Sequence, residues 1–345
     1  MAKISVIIPT FNSGKFLCNL FDSLLGQTIG FENIEVIFVD DASSDSYTLD
    51  LIESLVSKYS NCRAIFLKEN SGFPGKPRNI GIDKSKSDYV IVADHDDSYE
   101  KGALEILYKT IIENNADFVI ANYYNVYSNK KEKVKSPFTK NFNEISDISE
   151  DLRFFDIGPS IWTKLFNKKF LLKNNIKFIE GILGEDLHFY INSLINSSKT
   201  IFLNDSFIYN YNVRDSDTDK STIHIRNKKY LGKMIEGYYK TWDLLKNTDN
   251  EKYFSNIFLI HLVYWLTSFI ASDLNDEDKK ELIIEINPIL KKQLSYSGDF
   301  NEKIYSSLPK PILNDDYDEI IKNINKIKKS RKIKEKIKNI LFFYR

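Results

Sequence analysis

Cysteine is scarce in this 345-residue sequence, which contains only Cys18 and Cys62. Their separation has no metal-ligand spacing, so the sequence offers neither a disulfide framework nor a cysteine zinc site. The first apolar run, residues 4–9, is short and lacks the charged and cleavage regions of a signal peptide. Free thiols without a predicted leader favour a cytoplasmic location.

Net charge is also absent, because 48 Lys and Arg residues balance 48 Asp and Glu residues. The sequence lacks the chain-wide basic character and the motifs of nucleic-acid-binding proteins, so no nucleic-acid partner is expected. The exception is the tail, residues 322–345, where ten Lys or Arg stand against Glu335 alone, a charge of about +9.

Apolar residues recur at helical spacing within this basic tail, at Ile333, Ile337, Ile340 and Tyr344. The pattern predicts an amphipathic helix on an anionic membrane surface, and thus a peripheral position on the inner face of the cell membrane. An oligomerisation helix joining copies of the chain, or a solvated end with one buried face, fits the same residues.

Apolar runs long enough to span a membrane are missing. Residues 257–271 form a run of about fifteen residues that includes His261, and this predicts a buried helix. Amphipathic stretches at 230–245 and 279–294 flank it in sequence. A helical domain is therefore expected over 226–318, between a larger domain, 1–225, and the basic segment 319–345.

What the sequence does contain is an alternation of apolar strands and amphipathic helices. Strands are predicted at 3–9, 35–39, 63–67, 89–93, 117–121, 200–204 and 207–212, the first of them stopped by Pro9, and helices at 16–25, 48–59 and 102–114. This order is typical of an α/β fold with a mostly parallel sheet flanked by helices. Open sheets of this kind bind ligands at the carboxyl ends of their strands.

The strand at 89–93 leads into three carboxylates, Asp94, Asp96 and Asp97. Such carboxylates repel one another unless a cation compensates them, and they suit Mg²⁺ or Mn²⁺ bridging to phosphate oxygens. An acidic turn capping a helix that begins near residue 99 fits the same residues. Asp97 is expected to be such a cap, and Asp40 and Asp45 are expected to be turn and cap residues.

Glycines and prolines surround Lys76 and Arg78 in the stretch 70–81. This predicts a shaped cationic loop that brings charged donors and backbone N–H groups to a phosphate group. Its spacing matches neither a Walker loop nor the dinucleotide-binding fingerprint, so the classes of kinase, NTPase and dehydrogenase are not indicated.

Four blocks in order resemble a known family: residues 6–12 (Val-Ile-Ile-Pro-Thr-Phe-Asn), 38–45 (Phe-Val-Asp-Asp-Ala-Ser-Ser-Asp), 77–81 (Pro-Arg-Asn-Ile-Gly) and 93–97 (Ala-Asp-His-Asp-Asp). They are similar to the family 2 inverting glycosyltransferases, which have a GT-A fold. Within that family, the loop 70–79 resembles that of bacterial wall teichoic acid β-glycosyltransferases, which transfer N-acetylglucosamine from its UDP form to a polyol-phosphate polymer.

The resemblance implies a role for each matching residue. Asp41 would accept hydrogen bonds from the uracil edge, Asn70 and Arg78 would position the nucleoside and diphosphate, Asp94 would contact the ribose and Asp96 would bind the metal. The nucleoside pocket would be lined by Pro9, Thr10 and Phe11. In a polar segment that closes over the donor, Arg214 and Ser221 would contact the diphosphate, and His224 is a candidate for metal or phosphate.

A second block, residues 181–189, resembles the Glu-Asp motif of the family. By that match Asp186 is the base that removes the acceptor proton, and Glu185 helps to orient acceptor or donor. A Glu-Asp pair at a helix start is ordinarily dipole compensation. The departing diphosphate needs no second acid, because the metal and cations stabilise its charge.

Acceptor contacts are predicted at Trp162 and Lys164, where an aromatic ring beside polar groups suits sugar stacking, although Trp162 fits a core position equally well. The polar insertion 128–143 is interpreted either as a mobile loop near an acceptor groove or as a surface excursion.

These features predict an inverting glycosyltransferase that uses Mn²⁺ or Mg²⁺ to transfer a sugar from a UDP-sugar to a cell-surface glycopolymer or lipid-linked precursor. The alternatives are a capsule or exopolysaccharide transferase using another UDP-hexose, a non-catalytic nucleotide-sugar-binding protein and a nucleotidyltransferase. The presence of Asp94, Asp96 and Asp186 argues against a non-catalytic protein.

Overall fold

A computed structural model describes residues 2–214 and 226–330. The described chain forms two compact units, one made of residues 2–181 and 185–213 and the other of 182–184, 214 and 226–330. The unit boundary at 213/214 precedes the predicted one at 225/226. The predicted boundary at 318/319 is corrected, because it falls within a helix, Tyr317–Lys328.

The first unit is built on one sheet to which ten strands of the described residues belong. The strands are β1 Ile4–Thr10, β2 Ile34–Asp40, β3 Cys62–Phe66, β4 Tyr89–Val92, β5 Ser98–Tyr99, β6 Phe118–Val126, β7 Lys131–Lys133, β8 Phe142–Ile145, β9 Lys164–Asn167 and β10 Thr200–Asn212. Their main order is β3-β2-β1-β4-β9-β6-β10-β5, with β7 paired to β6 and β8 to β10.

Strands β3, β2, β1 and β4 are parallel, and β6 is parallel to β10. β9 lies antiparallel between β4 and β6, and β5 lies antiparallel to β10. Every residue of β1 and β2 is buried, as expected for strands covered by helices on both faces. The predicted α/β fold with a mostly parallel sheet is therefore confirmed.

Six helices of the described residues complete this unit: α1 Phe16–Leu25, α2 Ser46–Lys58, α3 Gly75–Lys84, α4 Ala103–Asn114, α5 Lys168–Lys173 and α6 Glu185–Asn196. Asp45 caps α2 by accepting from the N–H groups of Tyr47 and Thr48, as predicted. Hydrophobic residues of α1 and α4 pack on the sheet in one core cluster.

Several predicted boundaries are corrected. β1 continues through Pro9 to Thr10, which pairs with Asp40, because the neighbouring β4 has already ended and needs no N–H from Pro9. The cationic stretch 70–81 is a loop only up to Pro74, after which α3 begins. The insertion 128–143 contains two strands, β7 and the start of β8, and lies at the sheet edge.

The second unit is helical, with α7 Lys228–Leu245, α8 Phe254–Ala271, α9 Asp276–Ser297, α10 Pro309–Leu313 and α11 Tyr317–Lys328. Contrary to the expectation that no apolar run is long enough to span a membrane, one stretch of the described residues, Asp249–Ala271, is long and apolar enough to cross a bilayer, and 67% of its apolar window is buried in the protein. His261 is buried there, as predicted. The predicted tail helix lies mainly outside the described residues.

Candidate active site

The loops that follow β1 and β2 are joined at the carboxyl edge of the sheet. Thr10 donates its hydroxyl to Asp40 Oδ1 at 3.0 Å, and Asn12 Oδ1 accepts from the N–H groups of Ser44 and Asp45 at 2.9 and 3.0 Å. Asp40 also accepts from Ser43, so it is the turn residue that was predicted. These bonds fix the segment that contains the predicted nucleoside pocket.

Asp41 and Asn70, both predicted donor-binding residues, lie in contact. Asn70 Nδ2 donates to the Asp41 carbonyl at 2.9 Å. The Asp41 carboxylate accepts from the N–H of Ser71 at 3.0 Å and from its hydroxyl at 2.8 Å. In the same region Pro9 and Thr10 are buried, whereas Phe11 is 46% exposed. Ser71, which sequence reasoning missed, therefore orients the carboxylate predicted to face uracil.

Arg78 lies at the centre of the site and contacts three carboxylates. Its Nη2 is 3.0 Å from Asp94 Oδ1, and its Nη1 is 3.1 Å from Glu185 Oε1 and 2.5 Å from Asp186 Oδ1. The Arg78 side chain is only 3% exposed, and its guanidinium carbon lies 5.2 Å from the centre of the Phe178 ring. The structure thus joins residues from α3, the end of β4 and the start of α6.

The burial of this cluster changes its acid–base chemistry. Burial raises the pKa of Glu185, the neighbouring Asp186 raises it further, and Arg78 opposes both, leaving it at about 8. Burial also raises the pKa of Asp186, with Arg78 opposing. Burial lowers the pKa of Arg78, but the charges of Asp186, Asp94 and Glu185 outweigh burial and raise it overall. One permanent cation therefore faces two carboxyl groups with a raised affinity for protons.

The turn after β4 is held by the end of β10. Asp97 Oδ1 accepts from the N–H of Asn212 at 2.7 Å, and Asn212 Nδ2 donates to the carbonyl of Asp96 at 2.7 Å. The prediction that Asp97 caps the next helix is wrong: the residue is buried and α4 begins at Ala103. Burial, with Asp96 and Asp94 nearby, raises the pKa of Asp97 well above its usual range. Asp96 itself is half-buried.

An aromatic stack contacts the turn that follows β4. The rings of Trp162 and Tyr209 are parallel with centres 4.3 Å apart, and Tyr211 stacks on Trp162 at 5.9 Å. The Tyr209 hydroxyl accepts from the N–H of Asp94 at 3.1 Å. Because Trp162 is only 5% exposed, the structure favours its interpretation as a core residue over direct contact with an acceptor.

Lys164 is fully buried, which favours a structural role over acceptor contact. Its ammonium group donates to the carbonyls of Gly158 and Ser160 at 2.8 and 2.6 Å and lies 4.5 Å from the ring centre of Tyr190. Burial lowers the pKa of Lys164 to about 7, with the Asp186 charge opposing. The residue ties the segment before β9 to the interior.

The sequence carries only weak signals for three residues of the site that it does not predict, Tyr209, Tyr211 and Asn212. Tyr209 and Tyr211 are two apart in a strand and so share a face, but strand alternation does not show what that face contacts. Asn212 lies 116 residues from Asp96, whose carbonyl it binds.

Arg214, predicted to contact the diphosphate, is half-buried in the second unit, and Ser221 and His224 lie outside the described residues.

The described residues of the site offer few side chains that could bind a metal ion. No group of three or more His, Cys, Asp or Glu side chains that could hold a metal occurs in residues 2–214 and 226–330. Mg²⁺ bound to a nucleotide typically uses one or two protein carboxylates, with phosphate oxygens and water completing its shell. Asp96, beside an Asp94 that is paired to Arg78, fits that kind of site better than a metal cage.

A mostly parallel sheet whose carboxyl edge carries this arginine–carboxylate cluster is the arrangement expected of a GT-A glycosyltransferase. The sequence profile named Glycosyl transferase family 2 matches residues 5–175. The chain belongs to this family and is a glycosyltransferase.

Individual relatives agree with this assignment. Over 318 residues the chain is 31% identical to the poly(ribitol-phosphate) beta-N-acetylglucosaminyltransferase TarP of Staphylococcus aureus, a match that covers 89% of this chain and 94% of TarP. It is 33% identical over 233 residues to the poly(ribitol-phosphate) beta-glucosyltransferase of Bacillus spizizenii, a match that covers 67% of this chain but only 36% of that protein.

A solved structure confirms the GT-A fold. Residues 1–349 of S. aureus TarS, crystallised in complex with UDP-GlcNAc, match this chain with a TM-score of 0.72. The match covers 93% of this chain and 90% of that one at 22% sequence identity. A likeness at this identity concerns the fold, including the C-terminal helices.

Proposed function

We propose that this glycosyltransferase transfers a sugar from a UDP-sugar, preferentially N-acetylglucosamine, to a polyol-phosphate polymer or its lipid-linked precursor, with inversion at the anomeric carbon. The observation that carries the proposal is the buried Arg78 that holds Asp94, Glu185 and Asp186 together. The names of TarP and of the Bacillus enzyme, and the UDP-GlcNAc bound to TarS, support the choice of donor and acceptor.

Asp186 is the group best suited to be the base. Arg78 binds its Oδ1, and a quarter of the side chain is accessible, which leaves Oδ2 for a proton. The acceptor hydroxyl oxygen forms a bond to the anomeric carbon as the bond from that carbon to the diphosphate oxygen breaks. The hydroxyl proton goes to Asp186, and UDP leaves with the electron pair. A carboxylate whose pKa is raised by burial is a better base near neutral pH.

Glu185 has a different role in the proposal. Its side chain is only 9% exposed, and its pKa of about 8 keeps it mainly protonated at neutral pH. Because protonated Glu185 is neutral, the Arg78 charge is shared by the carboxylates of Asp94 and Asp186 alone. We infer that Glu185 orients Arg78 and does not itself accept the acceptor proton.

A divalent cation, Mn²⁺ or Mg²⁺, is part of the proposal. Asp96 would hold it together with the diphosphate oxygens, and when bound it would stabilise the negative charge that develops on the departing UDP. Asn212 prepares this position by fixing the Asp96 carbonyl. Asp41, held by Ser71, would bind the uracil edge, and the half-exposed Phe11 would contact the nucleoside.

The test is UDP release from a panel of UDP-sugars with Mn²⁺ or Mg²⁺ and a poly(ribitol-phosphate) acceptor, for the wild type and Asp186→Asn. We expect release with UDP-N-acetylglucosamine and a loss of at least about 10³-fold in kcat for the variant, because only the base is removed. UDP-sugar affinity, measured by calorimetry, should stay within about twofold, since the amide still accepts from Arg78.

Two results would contradict the proposal. If Asp186→Asn loses UDP-sugar affinity as strongly as activity, Asp186 binds the donor and is not the base. If another UDP-hexose or a phosphate-free glycan is used instead, the chain is a capsule or exopolysaccharide transferase. Asp156→Asn is the control for the loss of a carboxylate, because this residue is exposed and its pKa is raised by partial loss of hydration and by the charge of Asp151, which is not part of the Arg78 cluster.

A further inference from the structure

The sheet edge beside the site carries an unusual concentration of lysines. We call Lys130, Lys131, Lys133, Lys135 and Lys140, which lie between β6 and β8, the lysine ribbon. All five side chains are exposed, and residues 128–142 contain Glu132 as their one acidic residue, which gives a net charge of +4 from five lysines and one glutamate. The sequence left this segment open as a mobile loop near an acceptor groove or a surface excursion, and neither interpretation by itself explains its charge.

Aromatic rings hold the lysine stems while leaving the charges accessible. Lys131 Nζ lies 4.0 Å from the centre of the Tyr124 ring, and Lys133 Nζ lies 4.6 Å from that of Phe207. The two rings contact each other with centres 5.1 Å apart. Lys131 and Lys133 are two apart in β7, so they share a face of the strand about 7 Å apart. At its centre, Lys131 and Lys133, the ribbon therefore presents two ordered cations side by side.

The strand register places this row near the reaction site. In β6, Val126 pairs with Lys131 on one side and with Asn212 of β10 on the other. Asn212 in turn binds the carbonyl of Asp96. Two strand spacings, about 10 Å, thus separate β7 from the strand end that holds the Asp96 turn. A chain-like substrate bound at the site would extend within reach of the ribbon.

Existing ion pairs do not neutralise the ribbon. Lys131 pairs with Glu100 at 2.6 Å and Lys130 with Glu132 at 2.9 Å, and all four of these side chains are at least one-third exposed. Exposed pairs of this kind are weak and are screened by water. Phosphate groups arriving in a row can therefore compete with Glu100 and Glu132 for the lysines.

We propose that the lysine ribbon binds successive phosphate groups of a polyol-phosphate acceptor chain and so selects the polymer over its single repeat unit. This inference rests on the proposed function, because it concerns the acceptor of the same reaction. Charge complementarity and the short distance to the Asp96 turn favour this occupant over an anionic membrane surface.

The test compares a ribbon variant, Lys131→Gln/Lys133→Gln/Lys135→Gln, with the intact wild type. With poly(ribitol-phosphate) we expect KM to rise about tenfold, with kcat unchanged and a shallower dependence of KM on salt concentration. With a single ribitol-phosphate unit as acceptor, KM should stay the same. Binding of the polymer, measured in the Asp186→Asn background without turnover, should weaken by the same factor.

A matched control removes equal charge at the amino ends of β3 and β4, in Lys58→Gln/Lys84→Gln/Lys86→Gln. These lysines are exposed and lie before β3 and β4, and Lys58 likewise lies over an aromatic ring, that of Tyr59 at 5.1 Å. The control should keep the KM for the polymer. An equal rise in KM in the control would overturn the inference, because a general loss of charge would then explain it.

The remaining outcomes separate this inference from the proposed function. If the wild type glycosylates the polymer and the ribbon variant does so with unchanged KM, the ribbon inference alone is wrong. If the ribbon variant loses binding to phosphatidylglycerol vesicles but keeps its KM for the polymer, the ribbon serves a membrane and the inference is again wrong. If the wild type transfers no sugar to the polymer, the proposed function is wrong, and this inference, which rests on it, is wrong as well.

Discussion

At the scale of single residues, the site depends on one cation that three carboxyl groups share. Arg78 cannot lose its proton at any ordinary pH, and it is almost fully buried, so its charge is permanent and little screened. Two of its partners, Glu185 and Asp186, are adjacent in sequence and both have a raised pKa. If all three carboxyl groups were ionised, the cluster would carry two uncompensated negative charges in a buried place. Protonation of Glu185 reduces that excess to one.

This reasoning predicts how stability depends on pH. The pKa of Glu185 is about 8 in the folded protein and 4.5 in the reference state. Between these values the unfolded chain releases a proton that the folded chain keeps, so the free energy of unfolding falls as pH rises from about 4.5 to 8 and then levels off. Glu185→Gln removes this titration. At pH 8 the variant should therefore be more stable than the wild type by roughly 1 kcal/mol or more.

Urea unfolding at pH 5, 6.5 and 8 measures this difference. The advantage of Glu185→Gln over the wild type should be small at pH 5 and should grow towards pH 8, because across this range the carboxyl of the unfolded chain is ionised while that of the folded chain keeps its proton. Asp156→Asn serves as a control, since Asp156 is exposed and its pKa is raised by partial loss of hydration and by Asp151, which does not belong to the Arg78 cluster. A stability difference between Glu185→Gln and the wild type that does not change with pH would show that Glu185 is already ionised in the folded protein.

At the scale of elements, helix α3 decides where Arg78 lies. Three residues after Arg78, Gly81 meets β1 so closely that an added Cβ would lie 2.2 Å from Ile7 Cγ2. At the start of the helix, a Cβ on Gly75 would lie 2.3 Å from the Ile179 carbonyl oxygen. The glycines therefore let α3 approach the sheet and the segment before α6 at once, which brings Arg78 to Asp186.

Gly81→Ala should weaken this packing. Because Ile7 belongs to a fully buried strand, it has little room to move, and we expect a loss of about 1–3 kcal/mol in the free energy of unfolding. A shift of α3 would also move Arg78, so activity should fall even at temperatures where the variant is folded. Both effects are measured by urea unfolding and by UDP release.

The matched control for Gly81→Ala is Gly26→Ala, which lies just after the last residue of α1. An added Cβ there meets backbone oxygen at 3.6 Å, an ordinary contact, so stability should stay the same or rise by up to about 1 kcal/mol. Equal stability of Gly81→Ala and the wild type would show that α3 does not depend on a close approach to β1.

The same helix shows what the sequence could and could not predict. Glycine and proline made 70–81 appear to be a loop, but Pro77 lies in the first turn of α3, where its missing N–H costs nothing. β10 was predicted as two strands because polar residues interrupt it, and it is one strand with register shifts between Leu203 and Phe207 and between Phe207 and Tyr209. Strong apolar periodicity predicted most other elements of the first unit well.

The candidate site was predictable only where a motif is local. Asp41 and Asn70 were matched to the family one by one, and they lie in contact. The contact of Arg78 with Asp186 joins residues 108 apart, and no local pattern reports such a pair. Trp162 and Lys164 looked suited to an acceptor because their chemistry fits sugars, but burial depends on the packing of distant strands and is not encoded in their neighbourhood.

At the scale of the whole molecule, the balance of charge is unequal. The net charge of zero combines about +9 in residues 322–345 with about −9 in the rest of the chain. Part of the basic segment is used within the second unit, where Lys322 pairs with Glu319 and Lys328 with Asp273. Six Lys or Arg and Glu335 follow in residues 331–345, about +5, together with the predicted apolar stripe.

Truncation after Ser330 tests what this charge is for. We expect the intact chain to bind phosphatidylglycerol vesicles and the truncated chain to lose this binding at least about tenfold, because each basic residue near an anionic surface contributes about 1 kcal/mol. UDP release with a small water-soluble acceptor should not change. Since α11 ends at Lys328, its described contacts are retained in the truncated chain.

Two further variants separate charge from apolar contact. Replacing Lys332, Lys334, Lys336 and Lys338 by Gln should reduce vesicle binding and its dependence on salt, whereas Ile333→Ser/Ile337→Ser/Ile340→Ser should reduce binding at every salt concentration. If the intact chain does not bind the vesicles, the membrane interpretation is wrong. If truncation instead changes the mass measured by sedimentation, the tail joins copies of the chain, because an amphipathic helix that finds no lipid still needs an apolar partner.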